Sequence, residues 1–362
     1  MSIHRQAASI MAADGLTGLV RRGAGKVYRS LTGRPHPNAR RDEADRAERA
    51  QRAAAEVAER AVRAERVAAE VARQERETAK QEREAAHLAR QKVDYAALVE
   101  RFPAEVRRRN LGAIDAFYWY HTIDLGDGLA TPGDYDYRDR LADYPFPESM
   151  RGMKVLDIGS ATGFFAFEFE RRGGDVTSVE LPSMEVWDMI TAEREVLLEK
   201  SQKSLGTANR AETFAELNRL YVHGPFDFCH RARGSRVRRC LSRIYDLTPE
   251  KLGNDQFDMI FLGDVIGHLF SPLAALNALA PLCRGEMIIS LDLVDLPGAS
   301  IQYSGGAVHQ PDDRSWFQPN WEGLRQMLRR VGFKSVELVG QSHVMVRREW
   351  IPMKRDLIRA VK

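Results

Sequence analysis

Long hydrophobic runs are missing from this chain. No apolar stretch in its 362 residues approaches the ~18 needed to span a membrane. The first residues, 1–23, break their short apolar pieces with Arg5, Asp14 and Arg21, which leaves no signal-peptide core and predicts a cytoplasmic protein. Cysteine is scarce as well. Cys229, Cys240 and Cys283 form an odd set without paired metal spacing, which argues against a disulfide framework and against structural zinc, so no metal is expected. Glycine and proline are both absent from 38–102. A large excess of charge of one sign is lacking too, the formal net charge being +3.

That small net charge conceals an uneven distribution. Residues 1–41 carry eight Lys/Arg against Asp14 alone, and 42–93 carry twelve of each sign. The remainder, 94–362, holds 34 basic and 38 acidic residues and is mildly acidic. A catalytic part that gripped long phosphate backbones unaided would be basic, so the balance counts against a nucleic-acid substrate. Within the basic tail, residues 15–32 place Leu16, Leu19, Val20, Val27, Tyr28 and Leu31 at helical spacings beside Arg21, Arg22, Lys26 and Arg29. Two readings stay open, a basic amphipathic helix in peripheral contact with an anionic membrane and a basic tail weakened by four glycines.

The glycine-free stretch is dominated by Ala, Glu and Arg, all strong helix formers, and predicts one long helix. Ala47, Ala50, Ala54, Val57, Ala61, Ala64, Ala68 and Val71 alternate steps of three and four, the repeat of a left-handed coiled coil. Acid-to-Arg pairs at i,i+4, such as Glu48 with Arg52 and Glu56 with Arg60, would support the helix even without a partner. The expected role is self-association into a homo-oligomer, with a solitary spacer helix as the alternative. Beyond it, strand and helix patterns alternate. Candidate strands are 154–158, 176–181, 242–245, 259–262 and 286–291, with a closing pair at 335–339 and 343–348. This predicts an α/β fold with a doubly wound, mainly parallel sheet, whose ligand lies beyond the carboxyl ends of the strands. Residues 184–222 form a polar insertion after the second strand, read either as a lid or substrate wall or as a passive surface elaboration.

The sharpest local pattern is KVLDIGSATGFFAFEFERRGGDVTSVEL, residues 154–181. A buried strand ends at Asp157, Gly159 to Gly163 make a tight turn containing Ser160, Phe164 opens a helix, and Glu180 ends the next strand. Such glycines let backbone pass close to a ligand, and the second acid can accept hydrogen bonds from ribose hydroxyls. Ala161 stands where a dinucleotide enzyme would have its middle glycine, and Asp157 would repel a pyrophosphate. A cationic, phosphate-free cofactor, S-adenosylmethionine, suits the turn better.

These residues resemble the Rossmann-like (class I) S-adenosylmethionine-dependent methyltransferases, and within them the branch of the tRNA wobble-uridine methyl and carboxymethyl transferases. The resemblance spans about 117–340 and rests on WYHTIDLGDGLATPG (119–133), LDIGSATGFFAFEFERRG (156–173), YDLTPEKLG (245–253), FDMIFLGDVIGHLFSPLAAL (257–276) and WFQPNWEGLRQMLRRVGF (316–333). It implies a seven-stranded methyltransferase domain. It also implies that Asp157, Gly159, Ser160 and Gly163 border the methionine part of the cofactor, Glu180 the ribose, and Asp246 with Leu247 the adenine. On its own, Asp246 before Thr248 and Pro249 reads equally as a helix-capping turn residue. The organisation expected is a basic tail at 1–41, the helix at 42–93, a helical lead-in at 94–150, the methyltransferase domain at 151–350 and a C-terminal tail at 351–362.

Methyl transfer is an in-line displacement, so positioning supplies most of the catalysis and a base is needed only for a hydroxyl acceptor. His268 is the first candidate base and Asp264 the second, while Trp119, Tyr120 and His121 are candidates for the substrate wall or for packing. The run Arg231, Arg233, Arg236, Arg238 and Arg239 either faces an anionic substrate or is a solvated helix face. The expected acceptor is a glycan, glycolipid or small metabolite. A tRNA-modifying enzyme and an inactive methyltransferase fold in a coiled-coil interaction protein are the alternatives. The carboxymethylating relatives place a Tyr before the histidine and a Lys upstream of the first strand. Here Gly267 precedes His268 and 110–153 contains no Lys, which predicts transfer of a plain methyl group.

Overall fold

The computed structural model describes residues 39–114, 117–205, 211–306 and 315–362, with 26, 27, 29 and 30. The chain divides into two compact units, Met1–Gln91 and Lys92–Lys362. The expected amphipathic segment 15–32 falls, apart from those four residues, outside the described ones. In the first unit the long helix is present as part of α1 (Ala39–Arg108). Its surface carries exposed pairs, Glu48 with Arg52 at 2.6 Å and Glu70 with Arg73 at 2.8 Å. Each such pair adds about 0.3–0.5 kcal/mol. Val57, Val62, Val67 and Val71 stand exposed along it.

Two boundaries move. The helix does not stop at 93 but runs to Arg108, because Leu98, Phe102 and Val106 bury one face of its last turns in the second unit. Among the described residues the lead-in after Arg108 is loop with isolated bridges and one 3-10 segment, Arg138–Asp143, in place of the expected helix.

The second unit is built on a seven-stranded sheet with the order β3-β2-β1-β4-β5-β9-β8. Its strands are β1 (Lys154–Ile158), β2 (Asp175–Glu180), β3 (Arg238–Leu241), β4 (Phe257–Gly263), β5 (Cys283–Leu291), β8 (Ser335–Val346) and β9 (Ile351–Val361). Strands β1 to β5 are parallel, whereas β9 is antiparallel to both β5 and β8. A small separate ladder pairs β6 (Ile301–Tyr303) with β7 (Phe317–Pro319). The remaining helices are α2 (Phe164–Arg171), α3 (Arg194–Leu205), α4 (Phe214–Asn218), α5 (Gly224–Arg233), α6 (Pro272–Leu279) and α7 (Trp321–Arg330).

Alternation along the strands serves two cores. Leu156, Ile158, Ile260, Leu262, Met287, Ile289 and Ile358 pack with α6 and α7 on one face. On the other face Val155, Met259, Phe261, Ile288 and Leu357 meet Phe165, Phe167 and Phe169 of α2, Phe226 and Phe228 of α5, and Phe102 of α1. Both faces are therefore covered, as a parallel sheet requires. The chain winds outward from β1 in one direction and from β4 in the other, and a doubly wound sheet opens its ligand crevice at that point of reversal.

The end of the chain corrects an expectation. Residues 351–362 are not a tail, for β9 lies between β5 and β8 and completes the sheet. The expected closing pair, 335–339 with 343–348, is instead the single strand β8, and the turn falls at 347–350. At the other edge β3 occupies Arg238–Leu241, while Ile244–Asp246 form a 3-10 turn. Ile358 is fully buried. Ile358→Ala should therefore cost about 2–5 kcal/mol in a urea titration. A residue in an unstructured tail would leave the midpoint unmoved.

Candidate active site

The turn after β1 is held by backbone geometry that only certain residues tolerate. Gly159 has φ of +70° and Gly163 of +94°. A Cβ on Gly159 would lie 2.5 Å from Val265 Cγ2, and one on Gly163 would lie 2.7 Å from the rings of Phe167 and Phe226. Side chains at both positions are thus excluded by conformation and by space. Between them Ala161 adopts φ of +48°, and Glu180 Oε2 accepts from its amide at 2.7 Å. The second oxygen of Glu180 accepts from Leu181 N at 2.8 Å. Ser178 donates to Ser160 across the same turn at 2.6 Å.

Asp157 is buried at the end of β1. Its carboxyl meets the Ala166 amide in the first turn of α2, and Oδ2 is buried without a hydrogen-bond partner among the described residues. Burial pushes this carboxyl up to about 8, the charge of Glu180 adds to the rise, and the Ala166 amide and Arg239 oppose it. An orphaned acid of this kind fits a ligand that brings a cation and hydrogen-bond donors.

Asp157, Gly159, Ser160 and Glu180 line one cavity of about 420 Å³. That volume lies within the range of small-molecule and cofactor sites. Gly163 lies outside the lining and acts by letting α2 approach α5. Tyr120, His121, Asp264 and His268 all face the cavity. Trp119 does not; it packs edge-on among Phe102, Phe117 and Phe228 at ring distances of 5.2, 5.7 and 5.4 Å. His121 is buried, its Nδ1 is 3.0 Å from Thr162 Oγ1, and burial drives it down to about 3, so it is neutral. Asp246 is exposed and Leu247 belongs to the core. Ser242, Arg243, Ile244 and Tyr245 line the cavity in their stead.

Past β4, Asp264 takes φ of +57°, and its amide donates to Ser290 O at 2.8 Å. Its carboxylate pairs with Arg355 of β9. Burial raises it to about 6 against the lowering influence of that guanidinium. Tyr120, Tyr135, Tyr137 and Tyr144 surround this end, with Tyr120 and Tyr135 only 4.5 Å apart. His268 is half-buried and has the Trp187 ring 6.1 Å away.

Trp187 belongs to the insertion, which contributes Met184, Val186, Asp188 and Tyr221 to the cavity wall. Asp188 was invisible in the pattern of the sequence. Its carboxylate accepts from Tyr245 Oη and from Phe270 N at 2.7 Å and faces Arg243 at 3.3 Å, and its carbonyl accepts from Trp316 Nε1 at 2.7 Å. One residue, through its side chain and its carbonyl, thereby ties the insertion to three other segments. The described cysteines are all free, and no group of three or more His, Cys, Asp or Glu among the described residues is placed to hold a metal. Nor is any described helix long and apolar enough to cross a membrane.

A sequence profile described as a methyltransferase domain matches residues 131–338. No protein of curated function matches the chain. Among solved structures, the 1,6-didemethyltoxoflavin-N1-methyltransferase of Burkholderia thailandensis, with bound 1,6-didemethyltoxoflavin and S-adenosylhomocysteine, is 18% identical with a TM-score of 0.35, covering 59% of this chain and 72% of that one. The N-terminal domain of EvdMO1 with SAH bound is 14% identical with a TM-score of 0.41, covering 72% and 96%. The magnesium protoporphyrin IX methyltransferase of Synechocystis PCC 6803 with bound SAM is 15% identical with a TM-score of 0.31, covering 59% and 71%. None of the three bears on the acceptor.

The buried acid generates a prediction for the ligand-free protein. Between 3.8 and about 8 the folded chain keeps a proton that the unfolded chain releases, so stability falls as pH rises across that window. Asp157→Asn should remove this dependence, leaving the variant more stable than the parent above the window and equal to it below. Chemical denaturation at several pH values checks this.

Proposed function

The chain belongs to the methyltransferase-domain family and works with S-adenosylmethionine, and from that premise we propose that it methylates an oxygen of a glycan, glycolipid or small metabolite. The observation that carries this reading is the single cavity joining the Asp157–Glu180 crevice to a tyrosine-lined end where Asp264 and His268 stand. Bound there, the cofactor supplies a methyl group on a sulfonium, open to displacement from the far side. The residues that would hold it are Asp157, Gly159, Ser160 and Glu180, with Ser242 to Tyr245 toward the base. The insertion and the tyrosine wall exclude water and orient the acceptor. As the new bond forms, a ring nitrogen of His268 takes the proton of the acceptor hydroxyl, and Asp264 is the second group able to do so.

The pairing of the cavity's cations supports a plain methyl group over a carboxylated cofactor. The guanidinium groups lining the cavity, Arg243 and Arg355, each face an acid, Asp188 and Asp264. An extra buried carboxylate would need a cation of its own. The second reading, a tRNA wobble-uridine enzyme, is favoured by the motifs at 119–133 and 257–276 and opposed by the acidic balance of 94–362. Self-association through the Ala/Val seam of α1 and peripheral membrane contact through the basic tail would suit an acceptor carried on a lipid.

Transfer of labelled methyl into a cell extract, divided into RNA, lipid, glycan and small-molecule fractions, tests the proposal. Label is expected in a fraction other than RNA, with one added CH₂ unit by mass spectrometry. Label in tRNA, or a carboxymethyl adduct, would overturn it. In the same assay His268→Ala should lower turnover by about 10²–10⁴, and a smaller loss would move the base to Asp264.

A further inference from the structure

The basic run before the cavity wall is divided in its surroundings. Arg231, Arg236 and Arg238 are exposed, whereas Arg233 and Arg239 are partly buried. Arg239 sits in β3 opposite Ser178 of β2, directly beside the strand that ends in Glu180. Its guanidinium lies 3.7 Å from the centroid of the Phe226 ring on α5. Nη2 donates to the carbonyl of Ala161 at 3.4 Å, while Nε and Nη1 are buried with no hydrogen-bond partner among the described residues.

Such a placement is costly unless nearby charge offsets it, because a buried guanidinium brings five donors and a full charge. The offsetting groups are three carboxylates: Glu180 on β2, Asp227 on α5 and Asp157 on β1 all act on Arg239 electrostatically. Two of the three belong to the cofactor crevice. Ala161, an L-residue in the left-handed region, is meanwhile held on both sides. Its amide is taken by Glu180 Oε2 and its carbonyl by Arg239 Nη2. A backbone position of this kind persists only where its surroundings over-determine it.

We propose that Arg239 is a cofactor-positioning residue, which pins the strained Ala161 turn against Glu180 and sets its charge beside the two crevice carboxylates without lining the cavity itself. The proposal rests on the reading of that crevice as the S-adenosylmethionine site. Removing the guanidinium frees the Ala161 carbonyl and withdraws a cation that opposes the rise of the Asp157 carboxyl. Among the described residues, Asp157 is then faced by the charge of Glu180 and by the Ala166 amide, and it ionises at higher pH.

Calorimetric titration of S-adenosylmethionine into the full chain across a pH series tests this, with Arg239→Lys, Arg239→Met and Asp157→Asn compared with the parent. The parent should bind more tightly as pH rises through the ionisation of Asp157. Arg239→Met should weaken binding about tenfold at neutral pH and move that rise to higher pH. Arg239→Lys, which keeps the charge and loses the fork, should hold the parent's pH profile. Should Arg239→Met not fold, Arg239→Gln against Arg239→Lys gives the same contrast, since only the neutral variant is expected to shift the profile. A lower melting temperature with an unchanged profile in the neutral variant would overturn the proposal and leave Arg239 a packing residue. A parent that binds no S-adenosylmethionine, or an Asp157→Asn that binds as the parent does, would overturn the crevice reading instead.

Discussion

A carboxyl buried at the carboxyl end of β1 is the constraint that organises the catalytic part of this chain. Asp157 is removed from water where the sheet reverses its winding, and its charged form is disfavoured there. The neighbouring groups answer that penalty in part: the first turn of α2 offers an amide, and Arg239 offers a charge. They leave Oδ2 unsatisfied. Such an acid costs the ligand-free fold some stability, and under the proposed function that cost is offset when a cationic ligand arrives.

The rest of the cavity is built from pairs that span the chain. Asp264 after β4 meets Arg355 of β9, and Asp188 of the insertion meets Arg243 and Tyr245 after β3. Each pair joins segments that enter the site from different parts of the sheet, so the wall forms only when the sheet is complete. The position of β9 matters for that reason. It fills the gap between β5 and β8 and carries Arg355 to the cavity.

How much of this was legible in the sequence depends on the range of the interaction. The strand, turn, helix and second strand of 154–181 are local, and the glycines and acids that mark them can be read in order; the turn appears as expected, with Asp157, Gly159 and Glu180 around one cavity. The last strand was not legible, because Lys354, Arg355, Asp356 and Arg359 give 351–362 the polarity of a tail. Beyond the local pair of Lys354 with Asp356, those charges are answered by distant partners: Asp264 for Arg355, Gln341 for Asp356 and Glu286 for Arg359. The edge strand β3 was misplaced by a few residues for a related reason. Half-exposed and rich in arginine, it has a weaker apolar signal than the buried turn that follows it. Asp188 gave no sign at all, since its partners lie 55 to 128 positions away.

Under the proposed function the crevice at Asp157 holds S-adenosylmethionine. Its most direct test is calorimetric titration of that molecule into the parent and into Asp157→Ala at fixed pH, with circular dichroism to show that both are folded. One binding site per chain is expected in the parent and none detectable in the variant. A folded Asp157→Ala that binds with the parent's affinity would contradict it.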